Sequence, residues 1–368
     1  MKVIICGLSI TSSWGNGHTV TFRALARALT GRGHDLLFLE RDTPWYGSFR
    51  DDLHQKELGS IKLYKNLAEL RRSYTDALRT ADCVVLGSFV PEGVRVARWL
   101  LANAKQAVRI FYDLDAPVTL KKLKAGDDEY ISARILPRFD YYFSFAGGAA
   151  LDEMAQHYRV QNPTTFWCSV DPQVHFPCPS PLLWELGYLG TYCADRQRKL
   201  EPFLIQNARK MPTRKFVVAG PLYPETIRWP QNIARAEHVA PKDHPVFYGR
   251  QRFALNLTRD AMTANGYSPS TRLFEAAACG TATISDSWEG LSEFFEPGKE
   301  ILVAHTGREV REILEDYPES DRVALGVRAR RRVLSSHTAD RRVQMLERLV
   351  GKSALQPNLK LDGVLHEQ

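Results

Sequence analysis

Short apolar segments alternate with helix-like segments along most of the chain, and this alternation limits the fold more than any other feature. Apolar segments of strand length occur at residues 3–8, 81–87, 107–112 and 141–145, with helical patterns between them. Strands that alternate with helices form a parallel sheet covered by helices on both faces. The first half of the chain is therefore predicted to be an α/β, doubly wound, Rossmann-like domain.

A cluster of prolines interrupts this pattern, and the alternation restarts after it. The cluster is dense enough to disfavour helices and central strands alike, and it consists of Pro172, Pro177, Pro179 and Pro181. A chain of 368 residues is also expected to form two domains. We predict an N-terminal domain at 1–171, a linker at 172–183, a C-terminal domain at 184–335, and a C-terminal helix and tail at 336–368. A ligand cleft is expected between the domains, at the carboxyl ends of the strands.

The composition is typical of a folded globular protein, with 44% hydrophobic and 25% charged residues. No apolar run approaches the ~18–20 residues that a membrane span needs. The first residues have the pattern of a strand rather than of a signal peptide. None of the six cysteines forms a Cys-x-x-Cys pair. We therefore expect a cytoplasmic protein with reduced cysteines and no cysteine-based zinc site.

The net charge of +7 favours anionic partners, which include nucleic acids, anionic lipids and phosphorylated small molecules. No nucleic-acid-binding motif accompanies this charge, so a nucleic-acid partner is not expected. The densest basic run, residues 328–332, lies in a helical stretch. This run indicates either a solvated helix face or a peripheral contact with an anionic membrane surface.

Residues 266–280 contain the strongest candidate site. Ser268 and Pro269 are suited to the start of a helix, and Gly280 is suited to its end. The small, apolar residues between them predict a buried helix, whose free N–H groups at the start would bind an anion. Ser270 and Thr271 lie in that first turn.

Arg272 and Glu275 add charge to the same helix face, three residues apart. The guanidinium of Arg272 has a geometry that suits a phosphate. Burial of the Glu275 carboxylate is costly unless it accepts hydrogen bonds, and two ribose hydroxyls would donate them. The helix from Pro269 to Glu275 spans ~9 Å at ~1.5 Å per residue, which matches a diphosphate at one end and a ribose further along. An Arg272–Glu275 salt bridge on an ordinary packing helix is an equal alternative.

Residues 268–286 resemble the donor-site segment of the group 1 glycosyltransferases, and more closely their CgeB-like, spore-maturation branch. This segment ends in the sequence Glu-Ala-Ala-Ala-Cys-Gly-Thr-Ala-Thr-Ile-Ser-Asp. Three further segments are similar to that family in order and spacing. They are Cys-Ser-Val-Asp-Pro at 168–172 with Phe-Pro at 176–177, Lys-Phe-Val-Val-Ala-Gly-Pro at 215–221, and the region 326–338. The similarity spans roughly residues 168 to 350.

The resemblance implies a GT-B architecture, with two Rossmann-like domains facing a cleft and C-terminal helices that cross back to the first domain. It implies a retaining, metal-independent transfer of a sugar from a nucleotide-sugar donor. That donor is a co-substrate, so no cofactor is expected. The family has a second donor-site glutamate eight residues before the first. This chain has Tyr267 there, which we predict to be a donor-binding residue. A carboxylate near the transferred sugar is therefore missing at this position.

Polar residues that follow strands of the N-terminal domain are further candidates. Gly15 and Gly17 lie on the loop after the first strand, and their lack of a side chain allows a ligand to approach the backbone. His18 opens the following helix and is a candidate catalytic residue that could line a sugar site; a plain loop is the alternative. Asp113 and Asp115 follow another strand and could bind acceptor hydroxyls or act as a base. Helix capping is the alternative for both, and is favoured slightly more for Asp115.

Basic and polar residues that follow strands of the C-terminal domain complete the set. Arg196 and Lys199 form the basic pair that the resemblance implies, and they could stabilise the charge of the leaving nucleoside diphosphate without metal. A solvated helix start is the alternative. Asn256 and Arg259 lie beside the donor helix, where they could contact the base or the phosphates.

The predicted function is a hexosyltransferase-like glycosyl transfer from a nucleotide sugar to an unidentified acceptor, which could be a glycan, lipid, protein or small molecule. A nucleotide-sugar 2-epimerase on the same fold and a non-catalytic nucleotide-sugar-binding protein are the alternatives. No metal site is predicted, because the only Asp-x-Asp, at 113–115, lies in the N-terminal half. A dehydrogenase is disfavoured because no dinucleotide-binding motif follows the first strand.

Overall fold

The computed structural model describes residues 1–51 and 57–354, and these residues form two parallel sheets. The strands of the first sheet are hydrogen bonded in the order β3-β2-β1-β4-β5-β6-β7. The strands at its centre are buried on both faces, as expected for a parallel sheet between two helix layers. They are β1 (Lys2–Gly7), β2 (Asp35–Arg41), β3 (Ser60–Tyr64), β4 (Cys83–Gly87), β5 (Val108–Asp113), β6 (Tyr141–Ser144) and β7 (Pro163–Thr165).

Helices cover both faces of this sheet and enclose two separate apolar cores. One core contains Leu100 and Phe111, and the other contains Phe22 and Phe38. A 3-10 turn at Leu136–Arg138 precedes β6. The helices of this domain are α1 (Gly17–Gly31), α2 (Pro44–Gly47), α3 (Leu67–Arg79), α4 (Gly93–Asn103), α5 (Ala116–Lys124) and α6 (Gly148–Gln156).

The second sheet has the strand order β10-β9-β8-β11-β12-β13, and all of its pairs are parallel. No described helix or strand lies between β7 and this sheet, in the segment that contains the proline cluster. The predicted two-sheet α/β architecture is confirmed. The strands are β8 (Trp184–Leu189), β9 (Phe216–Ala219), β10 (Ile233–Ala236), β11 (Gln251–Asn256), β12 (Thr283–Ser285) and β13 (Leu302–Val303).

The helices of the second half include one continuous helical stretch with a π-helical turn, Glu201–Ile205, between α7 and α8. None of the described helices is long and apolar enough to cross a bilayer. In chain order the helices are α7 (Ala194–Leu200), α8 (Gln206–Lys210), α9 (His244–Gly249), α10 (Asp260–Asn265), α11 (Thr271–Ala278), α12 (Leu291–Phe294), α13 (Gly307–Asp316), α14 (Glu319–Ser336) and α15 (Ala339–Ala354).

Both sheets reverse their strand order at one point, between β1 and β4 in the first and between β8 and β11 in the second. Connections leave such a point in opposite directions and open a crevice at the carboxyl ends of the strands, where ligands bind in doubly wound folds. The loop that follows β1 in the first sheet faces the loops that follow β8 and β11 in the second sheet. The topology therefore builds the site from the ends of a few central strands.

The C-terminal helix returns to the first domain, as the resemblance implies. Val170 donates a backbone hydrogen bond to His337 (3.0 Å) and accepts one from Ala339 (2.9 Å), which ties the return segment to the start of the linker. Helix α15 then packs on α1, where Leu346 is buried in the same core as Phe22. The last described helix is therefore part of the N-terminal domain core.

We predict that Leu346→Ala destabilises the N-terminal domain by roughly 2–4 kcal/mol, because it leaves a cavity between α15 and α1. Arg348→Ala, on the exposed face of the same helix, is the matched control and should change stability by less than ~0.5 kcal/mol. Urea unfolding followed by tryptophan fluorescence measures both variants. Equal effects of the two substitutions would contradict the packing of α15 on this core.

Candidate active site

A cleft of about 550 Å³ separates the two sheets, and both domains line it. The N-terminal domain contributes the loop after β1 and the residues after β5, including Gly15, His18 and Asp115. The C-terminal domain contributes the loop after β8, the residues after β11 and the start of α11. The volume is that of a site for a small-molecule ligand.

The start of α11 points its backbone N–H groups into this cleft. Ser270 is the N-cap, but its side chain makes no hydrogen bond to the helix N–H groups. The first N–H groups of a helix have no partner within the helix, and they carry the positive end of its dipole. Pro269, Ser270, Thr271 and Arg272 all line the cleft. This uncapped start can bind an anion.

Arg272 is buried next to this helix start, and neutral groups hold it. Its Nη1 donates to Asn256 Oδ1 (3.1 Å) and to Ser270 Oγ (3.4 Å), and its Nε donates to the carbonyl of Leu189. The guanidinium lies 4.7 Å from the ring centroid of Tyr188. A cation over an aromatic face is attracted to it, and the ring fixes the plane of the guanidinium.

Close packing at the end of β8 makes this arrangement possible. A Cβ atom at Gly190 would lie 2.7 Å from Arg272 Nη2 and 2.8 Å from the Tyr188 hydroxyl. Only glycine therefore leaves room for the guanidinium at this position.

No described carboxylate forms an ion pair with Arg272, so the Arg272–Glu275 salt bridge considered from the sequence does not form. A buried cation without an anion is costly, and the cost is removed when a ligand supplies the negative charge. Among the two interpretations of this helix, the geometry therefore favours an anion site.

Glu275 lies one turn further along α11 and also lines the cleft. It is only 5% exposed, and Tyr248 is its one hydrogen-bond donor among the described residues, with a long hydroxyl-to-Oε2 distance of 3.4 Å. The nearest basic group described is His244, whose Nδ1 lies 4.0 Å from Oε2. The carboxylate therefore retains acceptor capacity towards a ligand in the cleft.

Arg196 and Lys199, the predicted basic pair, have different surroundings. Arg196 lines the cleft, donates to the carbonyl of Thr191 (2.8 Å) and has a buried Nε without a partner among the described residues. Lys199 does not line the cleft. Its Nζ donates to Asp286 Oδ2 (2.9 Å) and to the carbonyl of Thr258 (2.7 Å). Arg196 can contact a ligand, whereas Lys199 neutralises Asp286 beneath the site.

Asn256 and Arg259 also separate into two roles. Asn256 is fully buried and acts on the site only through its hydrogen bond to Arg272. Arg259 lines the cleft and bridges the domains, because its Nη1 lies 3.1 Å from Asp115 Oδ2. Desolvation by burial raises the pKa of Asp115, and Arg259 opposes that rise.

The loop after β1 faces the second domain across the cleft. Asn16 accepts a hydrogen bond from the backbone N–H of His18 and caps α1. Gly15 lies opposite Pro221 and Thr191, so the loop meets the C-terminal domain directly. Gly17 is exposed and no side chain crowds it. These contacts bring Gly15, Gly17 and His18 within the same cleft as Arg272.

Asp113, predicted as a catalytic carboxylate, is instead enclosed behind the cleft wall. It is 0% exposed and accepts hydrogen bonds from Tyr142 (2.6 Å), Thr119 (2.8 Å) and the backbone of Asp115 (3.1 Å). Burial raises its pKa to about 6. Asp113 therefore fixes the start of α5, and Asp115 is the carboxylate that reaches the cleft. This placement reverses the sequence-based preference between the two and argues against direct contact of Asp113 with a substrate.

Tyr267, at the position of the missing glutamate, does not line the cleft either. It has a left-handed φ of 42°, and its carbonyl accepts a hydrogen bond from Gly147 of the N-terminal domain (2.9 Å). Its ring occupies the space that a Cβ at Gly290 would need, at 2.5 Å. In the described conformation Tyr267 is an inter-domain contact, and its prediction as a donor-binding residue has no support from this geometry.

Two histidines that the sequence analysis did not single out, His238 and His244, also line the cleft. Both follow β10, an edge strand that the apolar pattern does not reveal, so their position in the fold could not be predicted. His244 contacts a third histidine, because its Nδ1 lies 3.1 Å from His175 Nε2. His175, His244 and Glu275 are all buried, and their possible ligand atoms lie within 4.8 Å of one another. This cluster is the group of described residues that could hold a metal ion.

Comparisons with known proteins identify a similar family and similar folds. Residues 196–348 match the family model described as glycosyl transferase-like. Sucrose-phosphate synthase from Thermosynechococcus elongatus has a similar structure, with a TM-score of 0.65 and 13% identity over 96% of this chain and 99% of that chain. No curated protein sequence matches the chain significantly.

Two further solved structures contain nucleotides. HepE from Anabaena, in complex with UDP and glucose, has a TM-score of 0.68 and 10% identity over 96% of this chain and 100% of that chain. An α-glucosyltransferase in complex with UDP-glucose and DNA containing an abasic site has a TM-score of 0.69 and 13% identity over 95% and 99%. The protein thus has the GT-B fold of these structures, and residues 196–348 match a glycosyl transferase-like family model. The CgeB-like branch stays a prediction.

We predict a specific acid sensitivity from His18, whose pKa burial lowers to about 4. The folded state excludes a proton that the unfolded chain binds below ~6.5, so this contribution to stability is complete above that pH and is lost towards pH 4. Between pH 6 and 5, the free energy of unfolding of the wild type should fall by up to ~1.4 kcal/mol more than that of His18→Asn.

Urea unfolding at pH 5, 6 and 7 measures this difference. The comparison is between the slopes of the free energy of unfolding against pH, not between the absolute free energies. His157→Asn, which changes an exposed histidine, should keep the slope of the wild type. Parallel curves for wild type and His18→Asn would contradict the lowered pKa of His18.

Proposed function

We propose that this protein is a glycosyltransferase that takes its sugar from a nucleoside-diphosphate sugar and transfers it without a catalytic metal. The observation that carries the proposal is the buried, anion-free guanidinium of Arg272 beside the uncapped start of α11. A diphosphate supplies the missing charge at this point, with hydrogen bonds from the backbone N–H groups and from Arg272.

The remaining parts of the donor fit along the same helix. We assign the ribose hydroxyls to Glu275, whose carboxylate faces the cleft one turn beyond Arg272. Arg196 contributes a second fixed cation at the diphosphate, since its buried Nε has no described partner. Charge that develops on the leaving diphosphate is then stabilised by groups that are already in place, which lowers the barrier without proton transfer to the leaving group.

The acceptor lies on the N-terminal side in this proposal. The transferred sugar faces the loop with Gly15, Gly17 and His18, and Asp115 is the cleft carboxylate available to the acceptor hydroxyl. Arg259 pairs with Asp115 and thereby couples the two domains when both substrates are present. We expect the retaining outcome that the family resemblance implies. The UDP in the structural neighbours makes UDP the first nucleotide to test.

Thermal unfolding with UDP, GDP, ADP, CMP and dTDP tests the donor site. We expect one of these nucleotides to stabilise the wild type by ~2.7 kcal/mol at a hundredfold excess over its dissociation constant. Glu275→Gln keeps the shape of the side chain but removes its charge, and should reduce that affinity at least tenfold. Glu315→Gln, on an exposed helix face, should bind as the wild type does.

The sugar form of the stabilising nucleotide then distinguishes the possible functions. Release of nucleoside diphosphate that depends on an added acceptor supports the transferase. An epimerised sugar formed from donor alone would instead identify an epimerase, and binding without turnover would identify a non-catalytic binding protein. No response to any nucleotide by the folded protein would contradict the donor site itself.

A further inference from the structure

The donor glutamate has a second set of neighbours that the proposed transfer reaction does not use. His175 comes from the linker, His244 begins α9, and Glu275 lies in α11. All three are at most 5% exposed, although they are far apart in the sequence. Titratable side chains that converge in a buried place are costly unless something compensates them, so the cluster requires an explanation.

The spacing of the cluster matches the ligands of a tetrahedral metal ion. Ligand atoms at the zinc–nitrogen and zinc–oxygen distances of about 2.0–2.2 Å lie about 3.3 Å from one another in a tetrahedron. His175 Nε2 and His244 Nδ1 are 3.1 Å apart, and Glu275 Oε2 is 4.0 Å from His244 Nδ1. The possible ligand atoms of all three residues lie within 4.8 Å of one another, so a small movement of the Glu275 carboxylate would bring them to one ion.

The chemistry of the ligands also suits a metal. Imidazole is the commonest metal ligand among protein side chains, and each ring has a nitrogen that can bind an ion. Two imidazoles and one carboxylate favour zinc and similar transition metals over magnesium or calcium.

The charge of the cluster is also unbalanced. No described Lys or Arg forms an ion pair with Glu275, and the closest basic side chain described is His244, whose Nδ1 lies 4.0 Å from Oε2. A divalent cation would compensate this buried charge. His244 and Glu275 line the cleft whereas His175 lies behind them, so the fourth ligand position would open towards the cleft.

We propose that His175, His244 and Glu275 form a binding site for a divalent transition-metal ion of the zinc type, and that this ion and the donor nucleotide exclude each other at Glu275. The exclusion rests on the proposed function, because there the same carboxylate accepts the ribose hydroxyls. The ion is an inhibitor in this scheme and takes no part in the transfer. It binds at the ribose end of the site, one helical turn from the diphosphate.

Cobalt titration of metal-stripped protein tests the site directly, since four-coordinate Co²⁺ has a strong visible absorption. We expect saturable binding of one Co²⁺ per chain, displaced by Zn²⁺ but not by Mg²⁺. His175→Asn, which changes a residue outside the cleft lining, should weaken binding at least tenfold. His157→Asn, at an exposed histidine, is the control and should bind as the wild type does.

Two further variants keep the test decisive if His175→Asn fails to fold. His244→Gln and Glu275→Gln should each weaken Co²⁺ binding at least tenfold, with folding checked by circular dichroism. Absence of the absorption band in the wild type would overturn the metal site. Undiminished binding in the folded variants would equally overturn the assignment of these ligands.

The exclusion is measured separately, with the nucleotide that stabilises the metal-free protein. We expect saturating nucleotide to raise the apparent dissociation constant for Co²⁺ at least tenfold, and Zn²⁺ to weaken nucleotide binding reciprocally. A ternary complex with unchanged affinities would overturn the exclusion. If no nucleotide binds the metal-free protein, the proposed function and the exclusion both fail, whereas the cobalt titration still decides the metal site by itself.

Discussion

A guanidinium buried beside a helix start, and hydrogen bonded only to neutral groups among the described residues, is the constraint on which the site depends. Arg272 is held by the carbonyl of Leu189 and the amide oxygen of Asn256, and the ring of Tyr188 lies against it. These groups come from the ends of β8 and β11, on the two sides of the point where the strand order reverses. Fixed dipoles position the cation but do not neutralise it, so an anionic ligand is the group that completes the site.

Polar side chains also join the two domains directly. Asn265, at the end of α10, accepts a hydrogen bond from the backbone of Ala150 (2.6 Å) and donates one to the carbonyl of Gly147 (3.1 Å). Its single amide therefore satisfies both kinds of backbone group near the start of α6. The Arg259–Asp115 pair adds a second polar contact between the domains, at the wall of the cleft.

The return of α15 to the first domain adds a second chain connection between the N-terminal and C-terminal domains, besides the linker. Arg32 and His34 of the N-terminal domain both pair with Glu347 on that helix. Their contacts are partly exposed, so the apolar packing of Leu346 contributes more to this joint than the ion pairs do. The cleft is consequently enclosed between domains that are joined at the linker and again at the end of the chain.

Sequence patterns were sufficient to predict the two-sheet architecture, because the buried strands of a parallel sheet are continuous apolar runs that alternate with helices. The edge strands β3, β7 and β10 lack such runs and were not predicted. The donor helix was predictable because Arg272 and Glu275 share one helix face, although its first turn begins at Thr271 rather than Ser268.

The functions of single polar residues were less predictable, since they depend on distant partners. Lys199 is paired with Asp286, and Asp113 is enclosed by Tyr142 and Thr119. Nothing local in the sequence indicates those contacts. The convergence of His175, His244 and Glu275 was likewise invisible, because it joins three separate elements.

A crystal structure of the protein with bound nucleoside diphosphate is the decisive test of the anion site at the start of α11. We expect the diphosphate to lie against the backbone N–H groups of this helix start, within hydrogen-bond distance of Arg272 and Arg196, with the ribose hydroxyls on Glu275. A diphosphate bound elsewhere in the cleft, with the Arg272 guanidinium still contacting only Leu189, Asn256 and Ser270, would contradict it.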